Sequence, residues 1–310
     1  MNMHTMNATA APSLSSVLAQ VAVVLTVSAS SLGMSKTDKQ ASREANEQHG
    51  TEAGTLKVQA QRLTKAGVAR VKEINQVTGQ LGADTRAMTS EWAPGGRLMG
   101  NTVMSRWLGE TWSPAKAKHT ELVDAFIRDA PQLIEESRDN LTNMNVAPPT
   151  EEEIRNAFSL EYQMMPIPDI TSFKTSGLDA DVERELKRRF ESSIDMAYSQ
   201  ATTDALQKVA KPLAHMVDRL TVYSKTEEAK LNGDDVPSAR LYDTVLTNVQ
   251  DIAKIFGDFN LTNDPVMNKV SAALSAFDWL TPEKLKKSDV IRGHAVKTAA
   301  EILADLKDLI

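Results

Sequence analysis

Apolar and small residues recur every three or four positions between residues 178 and 224. They are Val182, Leu186, Phe190, Ile194, Ala197, Ala201, Ala205, Val209, Leu213, Met216 and Leu220. That spacing lines one face of an α-helix. The stretch contains no glycine and a single proline, Pro212, which marks where the helix is expected to bend or break. At about 1.5 Å per residue the helix spans roughly 70 Å. Propensity alone does not hold so long a helix, so other elements must cover its stripe. The expected fold is mostly α: an elongated helical bundle around this central helix, packed antiparallel against a helix over 113–141, with the C-terminal helices as the other candidate partner.

The same reading places elements along the rest of the chain. Residues 1–12 are polar and small and are expected to be disordered. Val21, Val23, Leu25 and Val27 alternate with smaller residues, the period of a buried strand over 21–29. Residues 36–54 are polar and suit a short exposed helix. Leu56, Ala60, Leu63, Gly67, Val71 and Ile74 share a helical face that Gly79 and Gly82 are expected to close. Residues 83–113 read as an irregular stretch carrying Trp92, Trp107 and Trp112, large groups that must be pinned rather than exposed. Ser113 and Pro114 open the 113–141 helix, and Pro131 interrupts its pattern. Thr150 followed by Glu153 reads as a capping box. Phe158, Leu160 and Tyr162 alternate before Pro166 and Pro168, which predicts a strand and edge segment over 158–173, a partner for the strand at 21–29. After a turn at Asn232 and Gly233, Ser238 is positioned to cap a helix through Phe256, and further helices follow to Ile310. The expected organisation is a disordered 1–12, an α domain with a small β element over 13–175, and the long helix with the C-terminal helices over 176–310.

Composition narrows the setting. With 13 methionines and 5% aromatics, the chain suits helix-on-helix packing, where the flexible thioether fills irregular gaps. There is no cysteine, so disulfides and thiolate metal sites are excluded, and a cytoplasmic setting is the expectation. Residues 17–29 resemble the apolar part of a signal peptide, yet no Lys or Arg precedes Lys36, and the run is too short to span a bilayer. No membrane association is expected.

A nucleotide-binding glycine loop is absent, and Gly95-Gly96 beside Arg97 suits an ordinary turn. The five histidines (His4, His49, His119, His215 and His294) do not form the paired spacing of a zinc site. Glu151, Glu152 and Glu153 follow a helix cap, where carboxylates complement the helix dipole. No catalytic residue, metal ligand or cofactor is expected, and the chain is read as non-enzymatic.

Basic residues carry more information. Lys57, Arg62, Lys65, Arg70 and Lys72 lie close together with Glu73 as the opposing charge. Lys187 and Arg188 stud the central helix, and Arg97, Arg106 and Trp107 accompany the tryptophan-rich stretch. A groove built from such lysines, arginines and indoles would suit single-stranded nucleic acid. The net charge of −6 confines that reading to a local patch. The amphipathic helices supply a second reading, as surfaces for self-association or for another protein.

The block AFSLEYQMMPIPDITSF, beginning at Ala157, resembles a segment of a helical family encoded by phages and plasmids, a domain of unknown function. EWAPGGRLMGNTVM, which precedes that block, and LTNVQDIAKIFGDFNLTNDPVMNKV, which follows it, are similar to other pieces of that family in the same order. The resemblance covers roughly residues 15–280, by collinear order and not by one signature. It departs after the first strand, where the family carries Trp or His and then Gly-Arg-Lys and this chain reads SASSLGMSK. The family's genes often neighbour a MoxR-like AAA+ ATPase. The resemblance therefore implies a phage or plasmid accessory protein acting through protein contacts, as adaptor or substrate-binding partner of such an ATPase; the long amphipathic helix separately leads to the expectation of a homo-oligomer. Single-stranded DNA binding in phage replication or transcription is the alternative.

Overall fold

The computed structural model describes residues 12–93, 95–170, 179–234, 236 and 239–307. In chain order the elements are α1 (Leu14–Val21), β1 (Ala22–Ser30), β2 (Ser35–Asp38), α2 (Lys39–Gln48), β3 (Val58–Gln61), α3 (Lys65–Met88), β4 (Ser90–Trp92), β5 (Gly96–Gly100) and α4 (Asn101–Arg106). A π-helical segment (Trp107–Trp112) leads into α5 (Ser113–Asn140), followed by α6 (Glu151–Ala157), β6 (Ser159–Pro166), α7 (Ala180–Leu231), α8 (Thr244–Phe256), α9 (Pro265–Leu274), α10 (Pro282–Lys287) and α11 (Asp289–Lys307). The protein is mostly α, with one long central helix and a small antiparallel element in which the strand order is β4-β5-β1-β6. The chain divides into two compact units, one of residues 1–25, 88–104 and 164–310, the other of residues 26–87 and 105–163.

The first unit is organised on α7. This helix runs 52 residues without interruption, roughly 78 Å at the usual rise, with Pro212 inside it. Its stripe from Ala205 to Leu220 packs against Val245, Val249 and Phe256 of α8, Val270 and Leu274 of α9, and Ala295, Ala299 and Ile302 of α11. Each fully buried aliphatic side chain here contributes about 1.5–3 kcal/mol. The covering helices are thus the C-terminal ones, where one reading of the sequence had placed 113–141. A second cluster joins Leu18 of α1, Ala22 and Val24 of β1, and Leu98 of β5 to Ile194 and Ala201 of α7. In the sheet Ala22 lies opposite Gly100, and Ser90 lies opposite Leu98. Gly100 packs closely under Leu261, where a Cβ would stand 2.8 Å from Leu261 Cδ2 and require that side chain to shift.

In the second unit α3 and α5 bury their facing sides together. Val71 and Ile74 meet Phe126, Ala130 and Leu133, and Ile154 of α6 closes the cluster. The capping box read at Thr150 is present, with both reciprocal hydrogen bonds to Glu153. Trp107, fully buried, stacks with Trp112 at 5.6 Å between ring centroids and meets the edge of Tyr162 at 5.5 Å. Its indole N–H donates to the Thr85 hydroxyl at 3.0 Å.

Several elements differ from the sequence reading. Helix α3 continues past Gly79 and Gly82 because Leu81 and Thr85 extend its buried face, and that packing outweighs the cost of two glycines, about 1 kcal/mol each. Residues 58–61 are a strand and not the start of that helix. The expected strand at 21–29 is preceded by α1, capped by the Ser13 hydroxyl. The stretch read as irregular holds β4, β5, α4 and the π-helical turn, so α5 follows a helix and needs no Ser113 cap. Neither Pro131 nor Pro212 divides its helix. The expected disorder of residues 1–11, the end of the edge segment at 171–173, the Ser238 cap and the last helical residues to Ile310 lie outside the described residues.

Candidate binding groove

A groove in the second unit gathers part of the basic cluster singled out above. Its construction begins at Asp38, the last residue of β2. One carboxylate oxygen accepts from the Ala41 N–H at 2.9 Å and the other from the Asn145 N–H at 2.7 Å. These main-chain donors hold the Asp38 carboxyl below its ordinary range, the Ala41 bond having the largest effect. Asn46, buried on α2, brackets Leu56 by accepting from its N–H and donating to its carbonyl, both at 2.9 Å. The chain therefore enters β3 in a set position.

β3 pairs with β2 in antiparallel register, Ala60 opposite Lys36. Its one buried side chain, Ala60, packs on Leu141, Met144 and Val146 just beyond α5. The Thr64 N–H donates to the Ser137 hydroxyl at 3.1 Å, and the Thr64 hydroxyl accepts from the Gly67 N–H at 3.3 Å. The start of α3 is thereby tied to the end of α5. Between them opens a groove of about 780 Å³, whose floor is Leu63, Val68, Leu141 and Met144 and whose rim carries Lys65 and Lys72. The two lysines are seven residues apart on α3, two turns along one face. Both are exposed, and neither forms an ion pair among the described residues.

The other basic residues singled out in the sequence are placed as follows. Lys57 is exposed just before β3. Arg62 is committed to Glu153 at 2.7 Å and to the carbonyls of Ala147 and Pro148. Glu153 accepts in addition from the Thr150 N–H, and that bond followed by the Arg62 contact lowers its carboxyl below the ordinary range. Arg70 pairs with Asp129 at 3.2 Å. Arg106 ends α4 and is half-buried, while Trp107 lies in the aromatic cluster with no exposed face. Arg97, Lys187 and Arg188 belong to the other unit. Lys187 pairs with Glu183 at 2.8 Å and Arg188 with Glu185 at 2.9 Å. Arg97 donates to the Thr89 hydroxyl at 2.6 Å and lies 3.7 Å from Asp204. Asp204 also pairs with Lys208, whose amine is pushed to a lower pKa by burial, with the Asp204 contact acting in the opposite direction. The groove thus unites Lys65 and Lys72, with Lys57 and Arg62 flanking β3, and leaves the other six apart from it.

Sequence reasoning missed the apolar half of this site. Leu141 and Met144 come from the end of a helix some seventy positions downstream, and no local period reveals them. The signal that was present is the alternation Val58-Gln59-Ala60-Gln61 between Gly54 and Thr64, which reads as a short strand. Among the described residues no group of three His, Asp or Glu side chains is arranged to hold a metal ion. No helix among them is long and apolar enough to cross a membrane. His119 is buried, and its Nε2 has no hydrogen-bond partner among the described residues. No family model, curated protein or solved structure matches the chain.

Proposed function

We propose that the protein is a non-enzymatic phage or plasmid accessory protein of the host cytoplasm that works through protein–protein contacts, with the groove of α3, β3 and the end of α5 as its docking surface. The observation that carries this reading is an aliphatic floor bordered by two unpaired lysines. Such a surface buries apolar side chains of a partner and complements acidic groups at its edge. A MoxR-like AAA+ ATPase, presenting an acidic segment, is the partner that the sequence resemblance puts first.

Single-stranded DNA is the alternative occupant. The exposed Lys57, Lys65 and Lys72 favour it, since phosphates seek such charges. The composition of the groove favours protein: no aromatic ring lines it to stack on a base, and Arg62 and Arg70 are already engaged with carboxylates. A photoreactive benzoyl-phenylalanine in place of Ala69, introduced in phage- or plasmid-bearing cells, tests the choice. The expected adduct is with an AAA+ ATPase, lost when Lys65→Glu and Lys72→Glu are combined. An oligonucleotide adduct would transfer the reading to DNA, and the absence of any adduct would contradict both.

A further inference from the structure

Among the described residues β3 pairs with β2 alone, so its other edge, on the side of this groove, is open. The Arg62 N–H donates to the Met34 carbonyl at 2.8 Å, continuing the register in which Ala60 faces Lys36. Hydrogen-bonded pairs alternate along an antiparallel ladder. Arg62/Met34, Ala60/Lys36 and Val58/Asp38 are therefore the bonded pairs. At the last of these the Ser42 hydroxyl is inserted, accepting from the Val58 N–H at 2.9 Å and donating to the Asp38 carbonyl at 2.5 Å. Gln59 and Gln61, lying between the bonded pairs, aim their N–H and C=O groups away from β2. Both line the groove.

An edge of this kind is usually blunted by a charge, a proline or a bulge. β3 carries none of these in Val58-Gln59-Ala60-Gln61 and limits its edge only by its length of four residues. Beside the edge lie the aliphatic floor, Lys65, Lys72 and the first turn of α3, where the helix dipole adds partial positive charge. We propose that the partner segment binds as an extended strand added to the Gln59–Gln61 edge of β3, with acidic residues meeting Lys65 and Lys72 and alternate apolar residues entering the floor between Val68 and Leu141. Main-chain bonds supply the affinity in this mode, and the pockets for alternate side chains supply the selectivity. The inference rests on the docking reading above and specifies its chemistry: an acidic, extended peptide.

The probe is a fluorescein-labelled hexapeptide of alternating Glu and Val, titrated into the full chain by anisotropy. Two further versions carry N-methyl groups on alternate amides, one version for each set. Binding is expected for the parent peptide, with at least a tenfold loss for one methylated set, and at least a tenfold loss when Lys65→Glu and Lys72→Glu are combined. In hydrogen exchange the Gln59 and Gln61 amides are expected to slow at least tenfold on binding, while the Ala60 amide, already bonded to β2, changes little. Binding that ignores both methylated sets, or that leaves Gln59 and Gln61 unprotected, would overturn strand addition and leave the protein-docking reading standing. No binding by the parent peptide would overturn the acidic-strand inference, and the Ala69 adduct then judges the broader reading independently.

Discussion

The main-chain N–H of Thr64 donates to the hydroxyl of Ser137, 73 residues away in sequence, at 3.1 Å. Ser137 is 1% exposed and donates in turn to the Leu133 carbonyl at 2.6 Å. This chain of two bonds sets the separation between the first turn of α3 and the last turns of α5, which is the width of the groove. Ser137→Ala removes the hydroxyl that accepts from the half-buried Thr64 N–H, and losing such a hydrogen bond costs about 0.5–1.5 kcal/mol. Urea denaturation should show a loss in that range. The groove should also widen, so binding of the acidic peptide should weaken, whereas a purely local stability effect would leave affinity unchanged.

Arg292 plays a comparable part in the first unit. Its side chain is 6% exposed, lies over the Tyr223 ring, and donates to the carbonyls of Leu285 and Lys286 and to the Ser224 hydroxyl. It joins the end of α10 to α7 and α11. Arg292→Met keeps much of the volume and loses every one of those bonds. A destabilisation of about 3 kcal/mol is expected, given what hydrogen bonds to charged groups contribute. Thermal denaturation followed by circular dichroism checks it, and an unchanged midpoint would contradict the assigned role.

His119 makes stability depend on pH. Burial lowers its pKa below the ordinary 6.5, and the nearby Lys116 charge acts in the same direction. As pH falls through 6.5 the unfolded chain takes up the proton first, so it holds more protons than the folded one. Folding free energy is therefore at its full value above that range and is lost progressively below it. His119→Gln cannot take up that proton. Guanidinium denaturation of both proteins at about pH 7.5 and about pH 5.5 should show a larger drop for the natural chain. Equal drops would remove His119 as the cause.

The carboxyls of Asp38 and Glu153 act over a lower range. Both are held below their ordinary values of 3.8 and 4.5 by main-chain donors, Ala41 and Asn145 in one case and Thr150 in the other. Their contribution is present above those values and disappears as pH falls through the lowered folded ones. Asp38→Asn should therefore reduce the acid sensitivity of the second unit while lowering its stability at neutral pH. Near-UV circular dichroism of the Trp107 and Trp112 cluster gives a readout placed in that unit.

Much of the architecture was legible in the residues. The stripe from Val182 to Leu220 predicts α7 because one helical period persists across it; the structure buries that face from Ile194 to Leu220 and leaves Val182 and Phe190 exposed, since the covering helices do not reach them. The capping box at Thr150 and Glu153 is local chemistry and was read as such. The strand expected at 21–29 and the strand and edge segment expected over 158–173 were legible from alternation, and β1 and β6, which form there, are neighbours in the sheet. What escaped was set by tertiary packing. β4 and β5 are only three and five residues long, too short to show a period. Gly79 and Gly82 suggested a stop that Leu81 overrides. In the groove, Lys65 and Lys72 were visible as a basic pair. Nothing in their own neighbourhood pointed to Leu141 and Met144, or to a strand edge left open by the pairing of β3 with β2.

The central claim is that this groove selects an acidic protein segment by charge and shape, and a charge exchange tests it most directly. The natural chain and the Lys65→Glu/Lys72→Glu variant are each titrated by anisotropy with two hexapeptides, one alternating Glu and Val, the other Lys and Val. The account predicts that the natural chain prefers the Glu peptide by at least tenfold, that the variant reverses the preference, and that both effects shrink as salt is raised. Equal binding of both peptides by the natural chain, or a preference that the variant leaves in place, would contradict it.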